Sequence, residues 1–101
     1  MPRGIAILGS TGSIGRNAQR VIEALGPEYQ VIGLSAHNSV ELLARQTRQC
    51  KPRFVAVTNE DSAAKFRLLV ADLDVGILTG PDSLSELVQA EEVDTVLTAV
   101  V

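Results

Sequence analysis

Short apolar runs alternate along the chain with longer amphipathic stretches. The first run, Gly4 to Leu8, is continuously apolar from Ile5, as a parallel strand covered on both faces requires. Ile14, Ala18, Val21, Ile22 and Leu25 then recur at helical spacing, predicting a helix that starts near Ser13 and buries that face. Gly26-Pro27 ends it, with glycine just past the last turn and proline beyond. Tyr29 to Ser35 is a second strand built on Val31, Ile32 and Leu34, followed by the polar turn His37-Asn38-Ser39. The second helix runs from Ser39 or Val40 to Cys50 with Val40, Leu43, Ala44 and Thr47 inward. Ser39 is its expected N-cap and Lys51-Pro52 its stop. Phe54 to Val57 forms a third strand, and a helix opened by Asn59 or Glu60 buries Ala63, Phe66 and Val70. Val75 to Leu78 makes a minor strand. Gly80-Pro81 starts a fourth helix, proline in its first turn, with Leu84, Leu87 and Val88 inward. Asp94 to Val101 is the last strand.

Strands alternating with helices predict a Rossmann-like, three-layer α/β domain with a mainly parallel sheet. Right-handed crossovers place the first strand centrally, the second and third to one side and the last strand on the other. A ligand crevice is then expected at the carboxyl ends of the first and last strands. The run Thr95 to Val101 reads as an interior strand with nothing to cover its far side. The expectation is therefore the N-terminal part, residues 1–101, of a larger domain, truncated after the strand ending at Val101.

Composition narrows the function classes. The 101 residues suffice for one small domain with its own core, 46% of them hydrophobic and 21% charged. A net charge of −3 with no basic cluster excludes a nucleic-acid surface. One cysteine, Cys50, excludes an internal disulfide framework and suits a reducing compartment. The apolar runs are too short to span a membrane, and Met1-Pro2-Arg3 leads straight into the first strand with no signal peptide. A cytoplasmic protein that binds neither membrane nor nucleic acid is expected.

The chemistry concentrates between the first strand and the first helix. Gly9, Gly12 and Gly15 stand at G-x-x-G-x-x-G spacing within Gly9-Ser10-Thr11-Gly12-Ser13-Ile14-Gly15. Three glycines alone also serve as a tight strand-to-helix connection. Their place after a strand and before an amphipathic helix is what points to a dinucleotide. Gly9 lets the chain turn off the strand, Gly12 clears space for a pyrophosphate, and Gly15 lets the helix lie close. The helix N-terminus offers free N–H groups to the phosphates, and Thr11 and Ser13 add hydroxyls. At the end of the second strand, where an NAD site carries Asp or Glu, the chain reads Ser35-Ala36-His37-Asn38-Ser39. No carboxylate repels a 2′-phosphate there, and three polar side chains can donate to one, so NADP is favoured over NAD. The turn has no arginine or lysine, and His37 supplies charge only when protonated.

Gly-Ser-Thr-Gly-Ser-Ile-Gly at 9–15 resembles the signature of the 1-deoxy-D-xylulose 5-phosphate reductoisomerase family. The resemblance covers essentially the whole chain, including the turn after the second strand, Lys51-Pro52-Arg53, and Val93-Asp94. It implies an NADPH-dependent enzyme of non-mevalonate isoprenoid biosynthesis, homodimeric at full length, and the absence of a transit peptide points to a bacterial one. Such an enzyme rearranges its small-molecule substrate and reduces it to 2-C-methyl-D-erythritol 4-phosphate. By resemblance, Thr11, Gly12, Ser13 and Ile14 match the cofactor-phosphate loop, and His37, Asn38 and Ser39 the 2′-phosphate turn. There the family's usual wording is glycine, a polar residue such as lysine, then asparagine. The departure bears on the phosphate grip and leaves the fold intact. Thr98-Ala99-Val100 resembles the strand end that lines the crevice. The divalent metal, Mg or Mn, and the substrate-phosphate residues are implied to lie beyond Val101. No catalytic residue and no metal ligand is expected in the chain itself, which alone is predicted inactive.

Asp72 with Asp74 and Glu91 with Glu92 read as solvated surface, and Cys50 as a structural residue. Two alternatives compete. One is the NADP-binding domain of another dehydrogenase such as aspartate-semialdehyde dehydrogenase, which lacks the Ser-Thr-Gly-Ser-Ile wording. The other is a non-catalytic nucleotide-binding module.

Overall fold

The structure, a computed structural model, describes residues 3–99. The elements are β1 (Arg3–Leu8), α1 (Ser13–Leu25), β2 (Tyr29–Ala36), α2 (Val40–Cys50) and β3 (Phe54–Val57). After them come α3 (Glu60–Leu69), β4 (Gly76–Thr79), α4 (Ser83–Val88) and β5 (Thr95–Thr98). All strand pairs are parallel, in the order β4-β3-β2-β1-β5. This is the Rossmann-like arrangement that the alternation of elements predicts, with β1 between β2 and β5. Val100 and Val101, the expected end of the last strand, lie outside the described residues.

Alternation along each strand builds the two faces. Ile5 and Ile7 of β1, with Val55 and Val57 of β3, face a core shared with Ile22 of α1, Leu43 of α2 and Phe66 of α3. Ala6 and Ala56 point the other way, onto Leu87 of α4, with Leu8, Phe54 and Leu78 around them. Small residues on that face let the short α4 approach closely. Phe66 is fully buried, which stabilises the fold by roughly 1.5–3 kcal/mol. In β2 the parity changes midway. Ile5 pairs with Val31 but Ala6 with Gly33, so the extra residue Ile32 is taken up as a bulge. That keeps Val31, Leu34 and Ala36 all on the three-helix side.

The helix ends differ from expectation in detail. Asn59 caps α3, its Oδ1 accepting from Ser62 N at 3.0 Å. Ser39 stands at the N-cap of α2, but its side chain makes no capping bond. α4 begins at Ser83 rather than at Pro81, and Ser83 Oγ donates to Gly80 O at 2.7 Å. Leu87 is buried there, whereas Leu84 and Val88 are only half-buried.

The larger correction concerns α1. Its buried residues are Gly15, Gln19 and Ile22, while Ile14, Val21 and Leu25 are 58%, 58% and 56% exposed. Ile22 goes inward as its apolar stripe predicts and Ala18 is half-buried, but the inward face is turned away from Ile14, Val21 and Leu25 and toward Gly15 and Gln19. Gly15 sets that orientation. A Cβ there would meet Ser10 Cα at 2.6 Å and Ser10 C at 2.8 Å, so this position must face the loop. Gln19, one turn on, follows it inward and donates to Cys50 Sγ at 2.7 Å.

An exposed ion pair joins α2 to the turn after α3. Arg48 donates to both carboxylate oxygens of Asp72, at 2.8 and 2.9 Å, and to Leu69 O at 2.8 Å. The Arg48 hydrogen bonds hold the Asp72 carboxyl down at about 2. Because the folded value lies below the unfolded one, this pair's contribution is present above the ordinary carboxylate range and is lost as pH falls through about 2. Carboxyl ¹³C titration of Arg48→Ala is expected to return Asp72 to the ordinary range. An unchanged Asp72 curve would contradict the pairing.

Candidate functional site

The glycine loop leaves the end of β1 through Gly9, whose φ of 77° is a left-handed conformation suited to glycine. Gly9 N donates to Ser35 Oγ at 2.9 Å, and Ser10 N to Ser35 O at 2.9 Å. The loop is therefore fastened to the end of β2. Gly12 N donates back to Gly9 O at 3.3 Å, and Arg16 N to Gly12 O at 2.9 Å, which opens α1. Gly12 is the N-cap of α1 and no side chain caps that end. The first N–H groups of α1 thus keep their donor capacity and the positive end of the helix dipole.

Beside the loop lies a cleft of about 480 Å³. Gly9, Thr11 and Gly12 line one side, Ser35 to His37 and Thr58 another, and Leu84 and Ala99 the remainder. Ala99 is held there by its N–H donating to Leu8 O at 2.8 Å. Gly12 leaves the loop open, because a Cβ there would touch only Gly9 O, at 3.7 Å. A dinucleotide pyrophosphate fits this opening, which offers bare backbone and the uncapped N–H groups of α1.

Of the residues expected from the sequence, Thr11, Gly12 and His37 come together in the cleft, and Ser13 and Ile14 follow at the exposed first turn of α1. Asn38 and Ser39 do not line it. They face an adjoining hollow of about 260 Å³ bounded by Glu41 and Lys65. Of the Thr98-Ala99-Val100 stretch, Ala99 lines the cleft and Val100 lies outside the described residues.

Four side chains beyond the expected binding residues bear on the loop and the turn. Thr58 shares a 2.7 Å hydrogen bond with His37 Nδ1, which orients the imidazole at the cleft wall. Lys65 brings a cation beside Asn38 and Ser39 from α3, where its Nζ donates to Glu41 at 2.9 Å. Ser35 and Gln46 act on the loop from β2 and α2. Each reaches the site from another element, so no local spacing announces it.

Other ionisable groups stay apart from the cleft. Burial, with the Glu23 carboxylate nearby, pushes the Cys50 thiol up to about 11, so it is protonated and poorly nucleophilic at neutral pH. Glu91 and Glu92 are exposed. Among the described residues no three His, Cys, Asp or Glu side chains are grouped to hold a metal ion, so these residues do not fit a divalent metal. No helix among them is long and apolar enough to cross a membrane.

Comparison with known proteins agrees with this geometry. A family model described as 1-deoxy-D-xylulose 5-phosphate reductoisomerase matches residues 5–101. The enzyme of that name from Phocaeicola vulgatus is 42% identical over 101 residues, covering 100% of this chain and 26% of the relative. That from Bacteroides thetaiotaomicron is 44% identical over 97 residues, covering 96% and 25%. The reductoisomerase from Zymomonas mobilis in complex with NADPH superposes with a TM-score of 0.84 at 28% identity, over 91% of this chain and 24% of that one. A DOX-P reductoisomerase in complex with NADPH, fosmidomycin and magnesium superposes at 0.86 with 33% identity, over 97% and 24%. The chain spans about a quarter of the length of the relatives it matches. It belongs to the 1-deoxy-D-xylulose 5-phosphate reductoisomerase family.

Proposed function

We propose that this chain is the N-terminal, NADPH-binding part of a 1-deoxy-D-xylulose 5-phosphate reductoisomerase. One observation carries the reading: an open glycine-walled cleft leads from the uncapped start of α1 to a turn without a carboxylate at the end of β2. The loop Thr11 to Ile14 holds the pyrophosphate, with Gly12 clearing its path. His37, Asn38 and Ser39 receive the 2′-phosphate, and Lys65 lies beside them. NADPH supplies the hydride when bound, and this chain supplies its position. Rearrangement of 1-deoxy-D-xylulose 5-phosphate, its reduction, the divalent metal and the homodimer contacts belong to domains outside these residues. The chain alone is inactive, and the intact enzyme is a bacterial cytoplasmic protein.

Calorimetric titration with NADPH and, separately, NADH tests the cofactor assignment. NADPH is expected to bind about tenfold more tightly or better, about 1.4 kcal/mol, with His37→Ala narrowing the gap. Equal or tighter NADH binding would remove the 2′-phosphate role from residues 37–39. A folded chain that binds neither would remove the claim that this part alone holds the cofactor.

A further inference from the structure

We propose that Gln46, which lies outside the glycine motif, is a positioning residue for the cofactor loop; this rests on the reading of that loop as the NADPH site. Gln46 is 4% exposed, midway along α2, and both ends of its carboxamide engage one residue. Nε2 donates to Ser10 O at 2.8 Å, and Oε1 accepts from Ser10 Oγ at 2.9 Å. The orientation is forced, since the Ser10 carbonyl can only accept. Ser10 itself is fully buried, and its Oγ lies 3.3 Å from Ser35 O. Gly9 and Ser10 are thereby gripped from β2 by Ser35 and from α2 by Gln46.

The grip acts at the point where the loop has most freedom. Gly9 has no side chain to restrict it, and a Cβ at Gly12 would meet only Gly9 O, at 3.7 Å, within the loop itself. Ser10 lies between them and is the one loop residue carried wholly into the interior. Anchoring it orders the loop before the cofactor arrives, so little ordering entropy is charged against binding. Thr47 gives an internal contrast. It is equally buried on the same helix, yet its Oγ1 donates only to Leu43 O within α2, at 2.8 Å.

The test compares Gln46→Met with Thr47→Val in the full chain, at a temperature well below both melting points. Amide exchange at Gly9 and Ser10 is expected to quicken at least about tenfold in Gln46→Met and to stay unchanged in Thr47→Val. The NADPH Kd is expected to rise about tenfold in the first and to stay within about twofold in the second. Unchanged exchange at Gly9 and Ser10 in Gln46→Met overturns the proposal. Faster exchange with an unchanged NADPH Kd overturns it as well, since the residue would then be structural only. A wild-type chain that binds no NADPH fails the cofactor reading instead, and the exchange comparison still decides whether Gln46 orders the loop. Should Gln46→Met not fold, Ser10→Ala, which deletes only the hydroxyl bonds, carries the same comparison with an expected change of about threefold.

Discussion

Gly15→Ala is expected to destabilise the fold by about 2 kcal/mol, lowering Tm by roughly 10 °C for a domain of this size. Two effects of opposite sign compete at this position. Glycine inside a helix is worse than alanine by about 1 kcal/mol, so propensity alone predicts a gain. Against it stands the close approach of α1 to the loop: the added methyl would meet the backbone of Gly9 and Ser10, with Ser10 Cα at 2.6 Å. Backbone atoms cannot step aside as a flexible side chain can. Ser10 is held by Ser35 and Gln46, so the strain passes into that buried network. Sterics win, and the loop moves with the helix. A thermal melt and an NADPH titration on one preparation check both halves. A rise in Tm would mean that α1 can lift off the loop at no cost.

That same contact explains where sequence reading succeeded and where it failed. The inward residues Val40, Leu43, Ala63 and Phe66 follow from local periodicity, because the helices that carry them are held by one apolar face, and the parallel order follows from the alternation of elements. α1 has two overlapping candidate faces. Ile22 belongs to both; Ile14, Val21 and Leu25 make the more apolar side, yet Gly15 and Gln19 go inward with it. The choice is made by a contact that needs no side chain at all, and periodicity of apolar residues cannot register it. The bulge at Ile32 is a related case, since a continuously apolar strand does not say where its parity changes.

For the site, the glycine loop and His37 were legible because their spacing is the chemistry. The turn, however, divides in space. His37 belongs to the cleft with Thr58, whereas Asn38 and Ser39 face Lys65 of α3. A cation missing from the turn's own sequence is delivered from a helix more than twenty residues downstream. Gln46 is hidden differently: within Arg45-Gln46-Thr47-Arg48-Gln49 it reads as one more polar helix residue until its partner, Ser10, is seen beside it.

Gly12→Val is expected to do the reverse of Gly15→Ala, sparing the fold and abolishing the ligand. Gly12 has φ −73° and ψ 170°, an extended conformation open to any residue, and a Cβ there meets only Gly9 O at 3.7 Å. The cost to the fold is that of a poorer N-cap, about 1 kcal/mol. The valine methyls, however, are expected to fill the opening that the proposed function gives to the pyrophosphate, in front of the first N–H groups of α1. Each charge-assisted hydrogen bond lost there is worth roughly 1.5–3 kcal/mol, so the NADPH Kd should rise at least about 100-fold. Thermal melts with and without cofactor show this directly. NADPH at about 100 times its Kd stabilises the wild-type chain by about 2.7 kcal/mol, and Gly12→Val should lose nearly all of that increment. The two glycine variants then rank in opposite order in the two assays, Gly15→Ala lower in unliganded Tm and Gly12→Val lower in cofactor-induced shift. If Gly12→Val kept the full shift, the dinucleotide would not cross this loop, and the cleft would have to bind something that leaves α1 untouched.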